Sequence, residues 1–178
     1  MKWNSFTLTN KVYDLSHLDP FNWIYIVNRG KAEGFEEYKF HVTFSMHCFT
    51  RRSTNQEKPP EDGWYFGPIE KRLFCSSRYI YSFELPEIVK KLGESQCWHT
   101  QHGNFFTIKK LDSDGSPTEY EVYFDVTRSI RKGWLNLIIQ SAYVRTSDYK
   151  NKQPRKRKIR LRVIAYNKQA GKDTKPGH

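Results

Sequence analysis

No run of apolar residues in this chain approaches the roughly 18 that a membrane-spanning helix requires, and the first residues, Met1-Lys2-Trp3-Asn4-Ser5, lack the apolar segment of a signal peptide. A cytoplasmic protein with no membrane association is therefore expected. Cysteine is scarce and odd in number, with only Cys48, Cys75 and Cys97. Three such residues make no disulfide framework, and free thiols in a reducing compartment are the plain expectation. A Cys-x-x-Cys knuckle is also missing. Zinc remains an alternative resting on ligand type alone, because His47, Cys48, Cys97, His99 and His102 are thiols and imidazoles of the kind it takes. Strand alternation would place Cys97 and His99 on one face without any metal, so no metal and no cofactor is expected. The P-loop, the dinucleotide-binding glycine pattern and the Gly-x-Ser-x-Gly elbow are all absent. Nucleotide hydrolysis and ester hydrolysis lose their support with them.

Basic residues are present in excess. The chain carries 30 Lys and Arg against 19 Asp and Glu, a net charge of +11. Lys150 to Arg162 alone holds eight of these bases and not one acid. A run so basic calls for an anionic partner, and nucleic acid is the first class to consider. Lys150 to Lys158, with Pro154, reads as a solvated loop. Ile159 to Tyr166 then sets Ile159, Leu161, Val163 and Ala165 against Arg160, Arg162, Ile164 and Tyr166, the alternation of a half-buried strand. Such a strand would fix Arg160 and Arg162 on a rigid outer face. With Lys156, Arg157, Lys158 and the more distant Arg78, they form the expected phosphate-binding set.

Aromatic residues make up 16% of the chain, enough for a packed core despite a mean hydropathy of −0.80. Tyr, Phe and Trp suit pleated surfaces, which points to a β-rich fold. Weak strands are expected at Phe6–Thr9 and Lys11–Leu15, and a turn or short helix from Asp14 to Pro20. A hairpin follows, from Trp23–Asn28 to a long strand Glu36–Phe49 whose Tyr38, Phe40, Val42, Phe44 and Met46 share a face. Residues 51–67, with Ser, Asn, Pro-Pro, Asp-Gly and Gly-Pro, read as a surface loop whose Trp64-Tyr65-Phe66 end is expected to pack back on the body, with stacking on a base as the alternative. Ser77 to Leu92 has the spacing of a helix. Strands at Asn104–Lys110, Thr118–Arg128 and Trp134–Val144 come next. The sum is a single α+β domain: a mostly antiparallel sheet with one principal helix, that helix followed by a four-stranded meander in the C-terminal half. Within it, 20–50 form the hairpin region, 77–166 the helix and sheet, and 167–178 a tail.

Alternation along Leu135 to Thr146 delivers Ser141, Tyr143 and Arg145 to one face. Arginine can stabilise a pentavalent phosphate, and Tyr and Ser can position a 2′-hydroxyl or the scissile group. The competing reading is a strand leaving the core, with Tyr143 packed and Arg145 in water. His102, opening the preceding strand, offers an imidazole suited to acid–base work near neutral pH, and His47 beside Arg51 and Arg52 offers a second. Two imidazoles and an arginine suffice for metal-independent RNA cleavage. Glu119, Glu121 and Asp125 alternate on one strand and read as a solvent-facing acidic row.

The order of helix then antiparallel meander, ending in Ser141-Ala142-Tyr143-Val144-Arg145 and a basic segment, resembles the small ribonucleases of the barnase, colicin and RelE type. That resemblance implies metal-independent cutting of RNA by scattered His, Arg, Ser and Tyr side chains on a sheet. The stretches Phe44-Ser45-Met46-His47-Cys48-Phe49-Thr50 and His102-Gly103-Asn104-Phe105-Phe106 are also similar to a group of bacterial proteins, some labelled stationary-phase growth adaptation proteins. The expected function is thus RNA-directed nucleic-acid binding, as a metal-independent endoribonuclease acting as toxin or defence effector. A non-catalytic RNA- or DNA-binding module is one alternative, and a basic subunit docking on an acidic antitoxin or complex partner is the other.

Overall fold

The computed structural model describes residues 1–30, 34–100, 103–111, 117–145 and 157–172. Its strands in chain order begin with β1 (Phe6–Leu8) and β2 (Lys11–Tyr13), a hairpin closed by Thr9 and Asn10. Both turn residues have positive φ, 48° and 62°, as a tight two-residue hairpin turn requires. A single 3-10 turn, Ser16–Leu18, leads to the second hairpin, β3 (Phe21–Asn28) and β4 (Phe35–Phe44). Tyr38, Phe40, Val42 and Phe44 share the buried face of β4 as their alternation demands.

The chain then makes a small three-stranded sheet from β5 (Thr50–Arg51), β6 (Trp64–Phe66) and β7 (Lys71–Phe74), in the order β5-β7-β6. The stretch 51–67 is accordingly more ordered than a plain loop. Tyr65 packs back as expected, its ring 4.9 Å from that of Phe49 and 6.1 Å from Trp3. Next come two helices, α1 (Ser76–Ser82) and α2 (Leu85–Lys90), where the sequence suggested one continuous helix over 77–92. Pro86 explains the break. Its ring clashes with a helical carbonyl four residues back, which is Ser82, the last residue of α1.

The remaining strands are β8 (Cys97–Thr100), β9 (Gly103–Leu111), β10 (Pro117–Arg128), β11 (Trp134–Val144) and β12 (Arg157–Ile159), followed by α3 (Leu161–Gln169). They join the second hairpin in a seven-stranded sheet of order β12-β8-β9-β10-β11-β4-β3. Every neighbouring pair is antiparallel except β11 with β4. The α+β class with a largely antiparallel sheet therefore holds; the meander runs β8 to β11, so its fourth strand is Cys97–Thr100 ahead of the three expected strands and not Ile159–Tyr166 after them. Tyr120, Val122, Phe124 and Val126 of β10 and Leu135, Leu137 and Ile139 of β11 form the core face with β4.

The strand expected over Ile159–Tyr166 is instead mostly helix. Only Arg157–Ile159 pairs, with β8, and Leu161 onward is α3. The sequence satisfied both periods, but Val163 on the supposed inward face is 39% exposed while Leu161, Ile164 and Ala165 are fully buried. That is the i, i+3, i+4 stripe of a helix packing on β10 and β11. Arg160 and Arg162 consequently do not sit on a rigid β-surface. Arg160 precedes the helix and donates to Glu94 O at 3.4 Å, and Arg162 lies exposed in the first turn. Among the described residues no helix is long and apolar enough to cross a membrane.

Candidate functional site

A cleft of about 700 Å³ opens where α1, the small sheet and the far end of β11 meet. Arg51, Arg52, Arg72 and Arg78 line it, with Ser53, Thr54, Cys75, Ser77, Tyr81, Tyr143 and Val144. Among the described residues no carboxylate lines it. Each arginine arrives from a different local cause. Arg51 ends β5, Arg52 follows it into the loop, Arg72 sits in β7, and Arg78 projects from α1.

Three of the four guanidiniums are held in place. Arg78 Nη1 donates to the carbonyls of His47 and Thr50, both at 2.9 Å, and its guanidinium lies 5.1 Å from the centre of the Tyr143 ring. Arg72 Nε donates to Thr50 Oγ1 at 3.2 Å, and its Nη1 reaches Glu70 at 3.4 Å. Arg51 Nη1 donates to Glu57 at 2.7 Å, and that bond is the main reason the Glu57 carboxyl titrates below its usual range. Arg52 is exposed, and its guanidinium has no partner among the described residues.

His47 lies beside this cleft but outside its lining. It was expected at the end of the long strand; β4 ends at Phe44, and His47 occupies a 3-10 turn, Met46–Cys48, capped by the Ser45 hydroxyl. Its Nε2 sits 2.6 Å from Glu70 Oε1, and this bond is the leading cause of the depressed Glu70 pKa. Glu70 thus joins His47 to Arg72, a cleft residue.

Ser141, Tyr143 and Arg145 do share one face, helped by a bulge in the β10–β11 register between Tyr123 and Phe124. They serve different ends there. Tyr143 lines the cleft, and its hydroxyl donates to Tyr123 Oη at 3.2 Å. Tyr123 in turn donates to Glu121 Oε2 at 2.8 Å, and Arg145 Nη1 to Glu121 Oε1 at 3.0 Å. Burial foremost, then the bonds to Tyr143 and Glu121, raises the Tyr123 pKa, so it stays a neutral donor. Glu121 is 2% exposed, which corrects the solvent-facing acidic row expected on β10. Ser141 stands opposite Tyr123, outside the cleft lining.

The described part of the basic segment, residues 157–162, sits elsewhere. Arg157 and Lys158 pair with His99 and Trp98 on β8, Lys158 Nζ lying 5.8 Å from the Trp98 ring centre. None of Arg157, Lys158, Arg160 or Arg162 lines the cleft. His102 and Lys156 fall outside the described residues. Of the zinc alternative, Cys48 is buried, donates to Ile139 O at 3.7 Å and has its thiol pKa pushed up to about 12 by burial. Cys97 is likewise pushed up to about 12 by burial, and His99 bonds Asn104 at 2.7 Å. No group of three or more metal-ligating side chains gathers among the described residues.

The YjaZ family model matches residues 5–169. This chain belongs to the YjaZ family. Protein YjaZ of Escherichia coli (strain K12) is 34% identical to it over 172 residues, 93% of this chain and 90% of that protein. No solved structure matches. Family membership replaces both resemblances drawn from the sequence, to the barnase, colicin and RelE ribonucleases and to the stationary-phase growth adaptation group. The fold agrees with the correction, because the β3–β4 hairpin is part of the main sheet and the meander's last strand pairs with β4 in parallel.

Arg51, Arg52 and Arg72 are the site residues that reading the sequence did not select. Their signal was present as bases flanking both ends of the 51–67 stretch. Only the pairing of β5 with β7 turns those two ends into one wall.

Proposed function

We propose that this protein binds RNA, with the arginine cleft receiving one nucleotide unit of the strand. The observation that carries this reading is the convergence of four guanidiniums and two tyrosines on one cleft of about 700 Å³, with no acid among the described lining residues. That volume falls in the range of small-ligand sites. Guanidiniums match phosphate oxygens by paired N–H donation, and tyrosine rings give a base a stacking surface.

Titrating single-stranded RNA by fluorescence anisotropy over a salt series tests it. Each phosphate contact on a single strand contributes about 0.7 to the slope of log affinity against log salt. Arg52→Ala is expected to weaken binding and lower that slope by about one such increment. Affinity indifferent to salt and to this substitution removes the reading.

Cleavage of the bound strand is the second reading, and one observation favours it. Glu70 orients His47 as a carboxylate orients an imidazole base, and the same Glu70 reaches Arg72 in the cleft. RNA that stays intact in EDTA with the native protein, as it does with His47→Ala, leaves binding alone.

A further inference from the structure

Resting on that reading, we propose that the cleft recognises the phosphomonoester at an RNA terminus in preference to the phosphodiesters within the strand. Among the described residues the lining supplies four positive charges and no negative one. Glu57 and Glu70 already offset two of them from the rim, at Arg51 and Arg72. An internal phosphodiester carries a single charge. Displacing either carboxylate, it exchanges one monoanion for another and gains little. A terminal phosphomonoester carries about −1.5 to −2 at neutral pH and three acceptor oxygens. It can engage those two arginines and the exposed Arg52 together.

The donors are arranged for such a group. Arg78 is pinned by two carbonyls and the Tyr143 ring, and Arg72 by Thr50 Oγ1, so neither needs ordering when ligand arrives. Exposed Arg52 completes the set from the loop side. Ser53, Thr54 and Ser77 line the same cleft; the Ser53 hydroxyl donates to Thr54 O at 3.3 Å, and those of Thr54 and Ser77 can donate to oxygens the guanidiniums leave over. Tyr81 lines the same cleft, and Tyr143, stacked on Tyr123 and covered by Arg78, forms part of its wall.

The test uses the full chain and one short single-stranded RNA sequence made in three forms: 5′-phosphate, 3′-phosphate, and hydroxyl at both ends. At neutral pH one phosphorylated form is expected to bind at least about tenfold more tightly than the hydroxyl form, and which one identifies the end read. The advantage should shrink below pH 6, where the second phosphate proton returns. Arg52→Ala should abolish the advantage, leaving all three RNAs with one equal, weakened affinity. Equal affinity of all three RNAs overturns terminal recognition and leaves RNA binding standing. Failure of every RNA to bind overturns both, and binding of adenosine 5′-monophosphate in that case reassigns the cleft to free nucleotides.

Discussion

The Arg78 guanidinium and the Tyr143 ring lie 5.1 Å apart, and the same guanidinium bonds two carbonyls of the segment leading into β5. One side chain from α1 therefore ties the Met46–Cys48 turn and β5 together while facing the cleft. Lysine keeps the charge but loses the planar fork that reaches two carbonyls and a ring at once. Arg78→Lys is expected to cost about 1–3 kcal/mol of stability, read by urea unfolding, because Thr50 O is left without a charged donor in a buried position. RNA affinity should fall about tenfold at a temperature where the variant is folded. Unchanged affinity there would show that Arg78 acts on the scaffold alone.

Arg145 illustrates the opposite assignment. Its partner Glu121 is buried and also receives the Tyr123 hydroxyl, so removal of Arg145 leaves a buried carboxylate short of its cationic partner. Breaking such a pair costs about 3–5 kcal/mol, less here because the Arg145 side chain is 23% exposed. Arg145→Ala is expected to lower the unfolding midpoint strongly, and the double variant Arg145→Ala, Glu121→Gln to recover part of the loss. RNA affinity of the folded fraction should change little. A large affinity loss with unchanged stability would return Arg145 to the set of groups acting on phosphate.

The strands that carry the core were legible in the sequence because one face of each is buried. Tyr38-Phe40-Val42-Phe44 and Tyr120-Val122-Phe124-Val126 alternate strictly, and strict alternation has one structural solution. Leu161 to Gln169 was misread because nine residues with apolar positions at 161, 163, 164 and 165 fit either period, and only the surface presented by β10 and β11 decides between them. The cleft was least legible. Tyr143 and Arg78 were selected for local reasons, but their meeting depends on α1 crossing the end of β11, and Arg51 and Arg72 meet through a pairing some twenty residues apart. Basic residues clustered in sequence drew attention to 150–162, whereas those clustered in space came from three separate elements, β5 with the residue after it, β7 and α1.

Gly93 marks a close approach that a side chain would block. A Cβ there would overlap the Tyr25 ring, whose hydroxyl reaches Gly93 O at 3.5 Å. This contact joins β3 to the segment between α2 and β8, so it sets how the two sides of the sheet come together. Gly93→Ala is expected to destabilise by about 1–3 kcal/mol through overpacking. Adding Tyr25→Leu should recover part of that cost, whereas Tyr25→Phe, which keeps the ring, should not. Chemical denaturation of the three variants settles the point. Additive losses in both double variants would place the cause in the backbone of Gly93 and not in the ring.

His17 makes stability depend on pH just below neutrality. The Ser82 hydroxyl donates to Tyr79 O at 2.7 Å, so its oxygen must accept from His17 Nε2, also at 2.7 Å. The neutral ring therefore carries its proton on Nε2 and leaves Nδ1 buried with no partner among the described residues. Phe83 stacks on the imidazole at 3.9 Å and Tyr79 meets it edge-on, so protonation would bury a charge against apolar rings. Burial accordingly lowers the His17 pKa from 6.5, with the Asp14 charge opposing the effect. The unfolded chain then binds the proton first as the medium is acidified. Stability is complete above pH 6.5 and declines as pH falls from there through the folded value. The carboxylates with depressed values, Asp14, Glu57, Glu70 and Glu87, start from 3.8 or 4.5 and act in a lower window. Urea midpoints should thus fall between pH 7.5 and pH 5.5 in the native chain and stay nearly level in His17→Gln. An equal fall in both would assign the acid sensitivity to a group other than His17.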